Sequence, residues 1–217
     1  MAPYYPVFLD VKKRPCVIIG GGQVAEGKIA SLLECDAQVR MICPEVTDAV
    51  KGMVEAGTIT WDRRDYQEGD LEGAFLAIAA TDDNTVNRRI AQEAEALGIL
   101  LNVVDVTHLC TFIAPSVVKR GDVTVAISTS GLSPALARKL REELEVSPVL
   151  DYADLAPMIA EVRQELRQQG ARVDPEHWQA CLNPAILELY RSDQGAAKER
   201  LKESLLHGAQ SGEAATP

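Results

Sequence analysis

Three consecutive glycines constrain the fold of this chain more than any other feature. An apolar run at positions 16–19 leads directly into Gly20, Gly21 and Gly22, and a helix-like pattern begins at once. A short apolar block is typical of a strand buried in a parallel sheet. The spacing Gly20-x-Gly22-x-x-Ala25 matches the dinucleotide-binding fingerprint, with alanine in its last position. The stretch therefore predicts a Rossmann-type domain that holds a pyrophosphate at the start of the first helix.

The first half of the chain continues this alternation of strand and helix. Strands are predicted at residues 7–10, 15–20, 38–43, 58–62, 75–80 and 100–104, and helices at 24–34, 45–55 and 85–97. Gly57 and Gly98 follow two of these helices, where a left-handed residue commonly ends a helix. The alternation indicates a mostly parallel sheet with helices on both faces.

A different pattern begins after Cys110. A turn at 119–122 joins two strand-like stretches, and Ser133 followed by Pro134 is typical of a helix start. This short unit has little core of its own, so we expect it to complete itself against a partner subunit. Helices are predicted at 150–169, 175–192 and 195–207, and we expect the small, polar residues 208–217 to be disordered.

The predicted fold class is therefore α/β, with three parts along the chain. A Rossmann-type parallel-sheet domain covers residues 1–112, a small αβ dimerisation segment covers 113–147, and a helical domain covers 148–207.

Composition narrows the classes of partner. The 217 residues include 22 lysines and arginines against 32 aspartates and glutamates, a net charge of −10, which argues against non-specific nucleic-acid binding. We see no apolar run long enough to cross a membrane and no signal peptide. The five scattered cysteines form no metal-binding or disulfide pattern. We expect a cytoplasmic protein with no nucleic-acid or membrane partner and no resident metal.

Candidate site residues stand at the carboxyl ends of the predicted strands, where open parallel sheets bind ligands. Asp82 and Asp83 have an alternative role as helix cap, and Asp105 is either a general base or a turn-forming residue. The predicted cofactor-binding residues are Gly20, Gly21, Gly22, Gln23, Val24, Ala25, Cys43, Pro44, Thr81, Asp82 and Asn102.

An ordered series of short motifs carries a family resemblance. The matching stretches are residues 6–11, 20–25, 80–83 with 86–87, 102–105, 112–116, 125–131 and 133–138. In this order they resemble the precorrin-2 dehydrogenase/sirohydrochlorin ferrochelatase family, the N-terminal module of siroheme synthases. The resemblance covers residues 6 to about 145 and is loose beyond them.

The resemblance implies a homodimer that oxidises precorrin-2 to sirohydrochlorin with NAD. It also implies, for some members, insertion of a metal substrate, Fe(II) or Co(II), into the tetrapyrrole. Asp105 matches the family's proposed catalytic aspartate. The substrate carries eight carboxylates, for which Lys119, Arg120 and Arg138 offer positive charge. The residues expected to bind it are Ser128, Thr129, Ser130, Gly131 and Ser133.

Two departures from the pattern bear on these expectations. Val106 stands where the family often has a second aspartate, which weakens the case for metal insertion. Residues 41–44 contain no acid to bind the cofactor ribose, and Arg40 leaves NADP open as the cofactor. His108, three residues after Asp105, is a loop histidine that could assist proton transfer.

Two other classes of function stay open. A nucleotide-sensing regulatory module also begins with a glycine loop, but it has no need of Asp105 and usually has an acid at the end of the second strand. A chelatase that uses the Rossmann fold only as a scaffold would insert metal without oxidising its substrate.

Overall fold

The computed structural model describes the backbone of residues 4–211 and the side chains of 4–207. The chain forms two compact units. The first runs to Ala114 and includes Ser130–Leu132, and the second comprises Pro115–Thr129 and the chain from Ser133 onward. Most of the predicted dimerisation segment thus shares one unit with the predicted helical domain, while residues 113–114 and 130–132 belong to the first unit. The three-part division stays a prediction.

A five-stranded parallel sheet forms the first unit. Its strands are β1 (Pro15–Ile19), β2 (Gln38–Ile42), β3 (Ile59–Asp62), β4 (Leu76–Ala79) and β5 (Leu100–Val103), in the order β3-β2-β1-β4-β5. The helices are α1 (Gln23–Leu33), α2 (Asp48–Glu55) and α3 (Asn84–Leu97). Strand order reverses between β1 and β4, and a crevice at such a switch point is the usual ligand site. The Rossmann-type prediction is confirmed.

Both faces of the sheet are covered, which is why β1 is apolar throughout. Cys16 and Ile18 pack with α1 and α2 in one core, while Val17 and Ile19 pack with α3 in another. The left-handed Gly98 ends α3, as predicted. Helix α2 begins at Asp48, later than predicted, because the Thr47 hydroxyl accepts a hydrogen bond from the Val50 N–H and caps it there.

The predicted strand at residues 7–10 is wrong. The structure has no regular secondary structure there, and Val7 and Phe8 are 59% and 75% exposed. Val11 is buried against the first core. The apolar pattern therefore anchors the segment at one residue, without a strand partner in the described part of the chain.

The second unit begins with an antiparallel hairpin of β6 (Ser116–Arg120) and β7 (Val123–Ile127). Helix α4 (Pro134–Glu145) follows, and its first turn is capped by the Ser133 hydroxyl as predicted. The remaining helices are α5 (Ala156–Gln168), α6 (Pro175–Cys181), α7 (Pro184–Ser192) and α8 (Gln194–Ser211).

Prolines divide the helices that were predicted as continuous. A 3-10 helix at Pro148–Leu155 precedes α5, where Pro157 occupies the first turn. Asn183 caps α7 immediately before Pro184 and separates it from α6. Helix α8 continues to Ser211, so the disorder expected from residue 208 is wrong up to 211, and 212–217 lie outside the described residues. Within residues 4–211 no helix is long and apolar enough to cross a membrane.

Candidate active site

The glycine loop lies in close contact with the segments that follow β2 and β4. Gly20 has a φ of +112°, and a Cβ there would lie 2.1 Å from the Ala80 carbonyl oxygen beyond β4. A Cβ on Gly21 would lie 1.9 Å from the Glu45 carbonyl oxygen beyond β2. Real Cβ atoms do not approach that closely, so the packing of the protein itself requires both glycines.

Gly22 differs from the two glycines before it. No atom of the described residues lies within 4 Å of the Cβ position at Gly22, and its extended backbone needs no glycine. It is the N-cap of α1 and supplies no side-chain hydrogen bond to the N–H groups of the first turn. Open space beside unpaired N–H groups fits a pyrophosphate. Ala25 is fully buried against the sheet, as the last fingerprint position requires.

Around the end of β2, backbone carbonyl oxygens accept hydrogen bonds from the side chains of Trp61 and Arg40. Cys43 is buried, and the Trp61 indole N–H donates to its carbonyl oxygen at 2.9 Å. Burial raises the pKa of the Cys43 thiol, which keeps it neutral. Arg40 lies within β2, where its Nη2 is 2.5 Å from Asp62 Oδ2 and its Nη1 donates to the Asp70 carbonyl at 3.2 Å. Its guanidinium is therefore not available to a cofactor phosphate.

In the loop after β4, only one of the two aspartates considered as a helix cap, Asp82 and Asp83, caps α3. Asp83 caps α3, accepting hydrogen bonds from the N–H groups of Thr85 at 2.7 Å and Val86 at 3.2 Å. These bonds lower the pKa of the Asp83 carboxyl. Asp82 is exposed and caps no helix. Thr81 accepts the Asp83 N–H at 3.0 Å, which uses its hydroxyl oxygen within the loop.

Asn87, in α3, stabilises the loop that follows β4. Its amide nitrogen donates to the Thr81 carbonyl at 3.0 Å, and the residue is 2% exposed. Its Oδ1 is buried with no hydrogen-bond partner among the described residues. The sequence placed Asn87 in a family motif but gave it no role. The sequence signal that could have identified Asn87 is a polar residue on the buried face of α3.

Asp105 stands at the crest of a turn after β5. Its φ is +60°, a left-handed conformation that aspartate tolerates better than most residues. Its side chain is exposed, and no described residue donates a hydrogen bond or an ion pair to the carboxylate. Asp105 therefore forms a turn, and its carboxylate at the carboxyl end of the sheet has no partner among the described residues, while its role as general base stays a prediction.

The Cys110 thiol stabilises the Asp105 turn by hydrogen bonds to its backbone. Its sulfur accepts the Val103 N–H at 3.1 Å and lies 3.2 Å and 3.5 Å from the carbonyl oxygens of Val103 and Val106. Burial raises the pKa of the thiol, which keeps the proton it donates. Asn102 reinforces the same turn, since its amide nitrogen donates to the Phe112 carbonyl at 3.1 Å.

Ser130–Leu132 belongs to the same unit as this turn. A Cβ on Gly131 would lie 3.2 Å from Thr107 Cγ2, two residues beyond Asp105. Ser130 and Gly131 both have positive φ, +53° and +80°, which gives the loop a tight left-handed bend. Within the first unit, Gly131 therefore contacts the segment that carries the predicted base.

Two family models match consecutive parts of this chain. A family described as putative NAD(P)-binding matches residues 7–116, which contain the whole parallel sheet. The chain belongs to this family. A second family, described as sirohaem biosynthesis protein central, matches residues 120–147. The resemblance seen in the motifs is confirmed.

Individual relatives extend the match to most of the chain. A siroheme synthase of Nitrosococcus oceani is 35% identical over 94% of this chain, and one of Methylobacillus flagellatus is 36% identical over 94%. Both alignments cover 44% of the relative, so this chain spans less than half of those proteins. A solved structure titled SirC, precorrin-2 dehydrogenase, matches 93% of this chain and 98% of its own, with 25% identity and a TM-score of 0.71.

Several residues expected to bind the substrate form hydrogen bonds or ion pairs within the second unit. The Thr129 hydroxyl donates to the Ser133 carbonyl and accepts the Ser133 N–H, at 3.0 and 3.1 Å. Arg120, expected to attract substrate carboxylates, is paired with Asp151 and Asp154 at 2.6 and 2.7 Å. Arg138 pairs with Glu142 along α4. The substrate-binding set stays a prediction, with its backbone N–H groups the better candidates.

His108 lies in the 3-10 turn after Asp105 and is exposed. Its assistance in proton transfer stays a prediction. No cluster of three or more histidines, cysteines or carboxylates that could hold a metal ion occurs in the described part of the chain.

Proposed function

We propose that this chain is an NAD-dependent dehydrogenase that oxidises precorrin-2 to sirohydrochlorin in siroheme biosynthesis. One observation carries the proposal: the open space beside Gly22 and the exposed carboxylate of Asp105, which has no partner among the described residues, both lie at the carboxyl end of one sheet. β4 separates the two strands that carry them, so their ends are about 10 Å apart at the usual strand spacing. A family of putative NAD(P)-binding proteins and siroheme synthase relatives support it.

The chemistry divides between the cofactor and the protein. NAD, when bound, accepts a hydride from the substrate. The same two-electron oxidation releases a proton, and Asp105 accepts it. An exposed carboxylate without a hydrogen bond or ion pair is able to take up a proton and to return it to water. The protein therefore positions the reactants and removes the proton.

Recognition of the tetrapyrrole falls to the loop at 128–133. A substrate with eight carboxylates needs donors, and the left-handed bend at Ser130 and Gly131 presents consecutive backbone N–H groups. Contact between Gly131 and Thr107, both in the first unit, supports a position for Gly131 near Asp105.

A homodimer is part of the proposal. Leu136 and Leu140 lie one turn apart on α4 and are 50% and 43% exposed. Apolar residues four positions apart form one stripe on a helix. This stripe lies in the segment shared with sirohaem biosynthesis proteins, and a second copy of the chain would bury it. Insertion of Fe(II) or Co(II) as a substrate stays a prediction from the resemblance, and no described side-chain cluster supports it.

The Asp105→Asn variant tests the function. Asparagine keeps the left-handed turn but cannot accept the proton, so turnover should fall by about 100-fold or more while NAD binding stays within twofold. Formation of sirohydrochlorin and NADH reports turnover, and calorimetry reports binding. NAD binding without turnover by the wild-type chain would favour the nucleotide-sensing module. Equal loss of binding and turnover in the variant would make Asp105 structural.

A further inference from the structure

The edge formed by the ends of β2 and β3 decides which nicotinamide cofactor a Rossmann domain accepts. An acid at the end of β2 usually binds the ribose 2′-hydroxyl, and an arginine nearby accommodates a 2′-phosphate. Here Ile42 ends β2, and Cys43 and Pro44 follow it without a carboxylate. The first acid after the strand is Glu45, which is exposed.

Arg63 occupies this edge from the neighbouring strand. It follows directly after β3, and its Nε donates to the Pro44 carbonyl oxygen at 3.4 Å. Its guanidinium carbon lies 5.7 Å from the centre of the Trp61 ring. Since the Trp61 indole also donates to the Cys43 carbonyl, Trp61 of β3 and Arg63 just after it are both hydrogen-bonded to the segment proposed to receive the ribose.

The other arginines of this region are already neutralised. Arg40 is paired with Asp62 at 2.5 Å, and Arg64 is paired with the buried Asp70 at 2.6 Å. Arg63 has no carboxylate partner, and its two terminal nitrogens make no hydrogen bond to any residue in the described part of the chain. It is exposed, so these nitrogens face solvent.

We propose that Arg63 binds the 2′-phosphate of NADP, so that the site accepts NADP as well as NAD. The inference rests on the proposed nucleotide site. Two free guanidinium nitrogens match two phosphate oxygens, which is the geometry that arginine forms best. Glu45 is the opposing group: its carboxylate suits the ribose hydroxyls of NAD and repels a phosphate.

Calorimetry with 5′-ADP and 2′,5′-ADP isolates the 2′-phosphate from catalysis. The wild-type chain should bind 2′,5′-ADP at least as tightly as 5′-ADP. Arg63→Gln should weaken 2′,5′-ADP by about tenfold or more, the change expected for losing a charge-assisted pair, and leave 5′-ADP within twofold. Lys12→Gln removes the same charge from an exposed residue that precedes β1, at the amino end of the parallel strands, and should change neither affinity.

Each other outcome overturns the assignment. Binding of 5′-ADP with much weaker binding of 2′,5′-ADP means that the site rejects the phosphate. Equal losses for both ligands in Arg63→Gln mean that Arg63 serves the common part of the nucleotide or the fold. Equal effects of the two variants mean that only net charge matters. Binding of neither ligand removes the nucleotide site, and the proposed function fails with it.

Discussion

The glycine loop offers the sharpest prediction, because its three glycines differ in what surrounds them. Gly22→Ala adds a methyl group where no atom lies within 4 Å and where φ is −81°. Alanine restricts the unfolded chain, which raises the free energy of unfolding by about 0.4–1 kcal/mol, but it is a poorer helix cap by a similar amount. The two effects offset, so the free energy of unfolding should stay within about 0.5 kcal/mol of wild type.

The same methyl group stands where a pyrophosphate must approach the start of α1. Losing close contact between the backbone N–H groups and the phosphate should weaken NAD binding by tenfold or more, about 1.4 kcal/mol. Gly21→Ala is the matched control. Its Cβ would lie 1.9 Å from the Glu45 carbonyl oxygen, and relieving that overlap should cost about 1–3 kcal/mol of folding stability.

Urea denaturation measures the stability of both variants, and calorimetry measures their affinity for NAD. We expect Gly22→Ala to be stable and deficient in binding, and Gly21→Ala to be destabilised. Normal NAD affinity in Gly22→Ala would refute the placement of the pyrophosphate. A loss of stability above about 1 kcal/mol would refute the claim that the space at Gly22 is free.

Three further predictions concern the turn, the ion pairs and the dimer. Cys110→Ala removes the thiol beneath Asp105, which should lower the free energy of unfolding by about 1–3 kcal/mol in urea denaturation and reduce kcat more than NAD affinity. Arg64 lowers the pKa of the buried Asp70 carboxyl. The stability that the ionised Asp70 carboxylate contributes is present above pH about 4 and is lost as the pH falls further. Asp70→Asn should therefore make the free energy of unfolding less dependent on pH in the acid range. Leu136→Glu should convert a dimer to a monomer in analytical ultracentrifugation, and an unchanged mass would exclude α4 from the interface.

The sequence was sufficient wherever a local rule acts alone. The apolar run before Gly20 placed β1, and Ser133 with Pro134 placed the start of α4. The exposed position of Asp105 after β5 was predictable because polar residues after a buried strand collect at the carboxyl end of a parallel sheet, while its catalytic role stays a prediction. These inferences need only neighbours along the chain and the rules of strand order.

Long-range contacts explain what the sequence did not predict. The alternation at 7–10 could not show that no strand would pair with it, and Arg40 could not be seen to meet Asp62 and Asp70 from other elements. The thiol of Cys110 lies beneath the Asp105 turn because the chain returns there after a 3-10 turn. Periodicity contains none of this information.

We propose that this chain couples oxidation of a tetrapyrrole to reduction of a nicotinamide cofactor. The most direct measurement is the stoichiometry of the anaerobic reaction of wild-type protein with precorrin-2 and NAD. We predict that one NADH forms for each sirohydrochlorin and that omitting NAD abolishes the product. Sirohydrochlorin formed without NADH, or no product although NAD binds, would contradict the account.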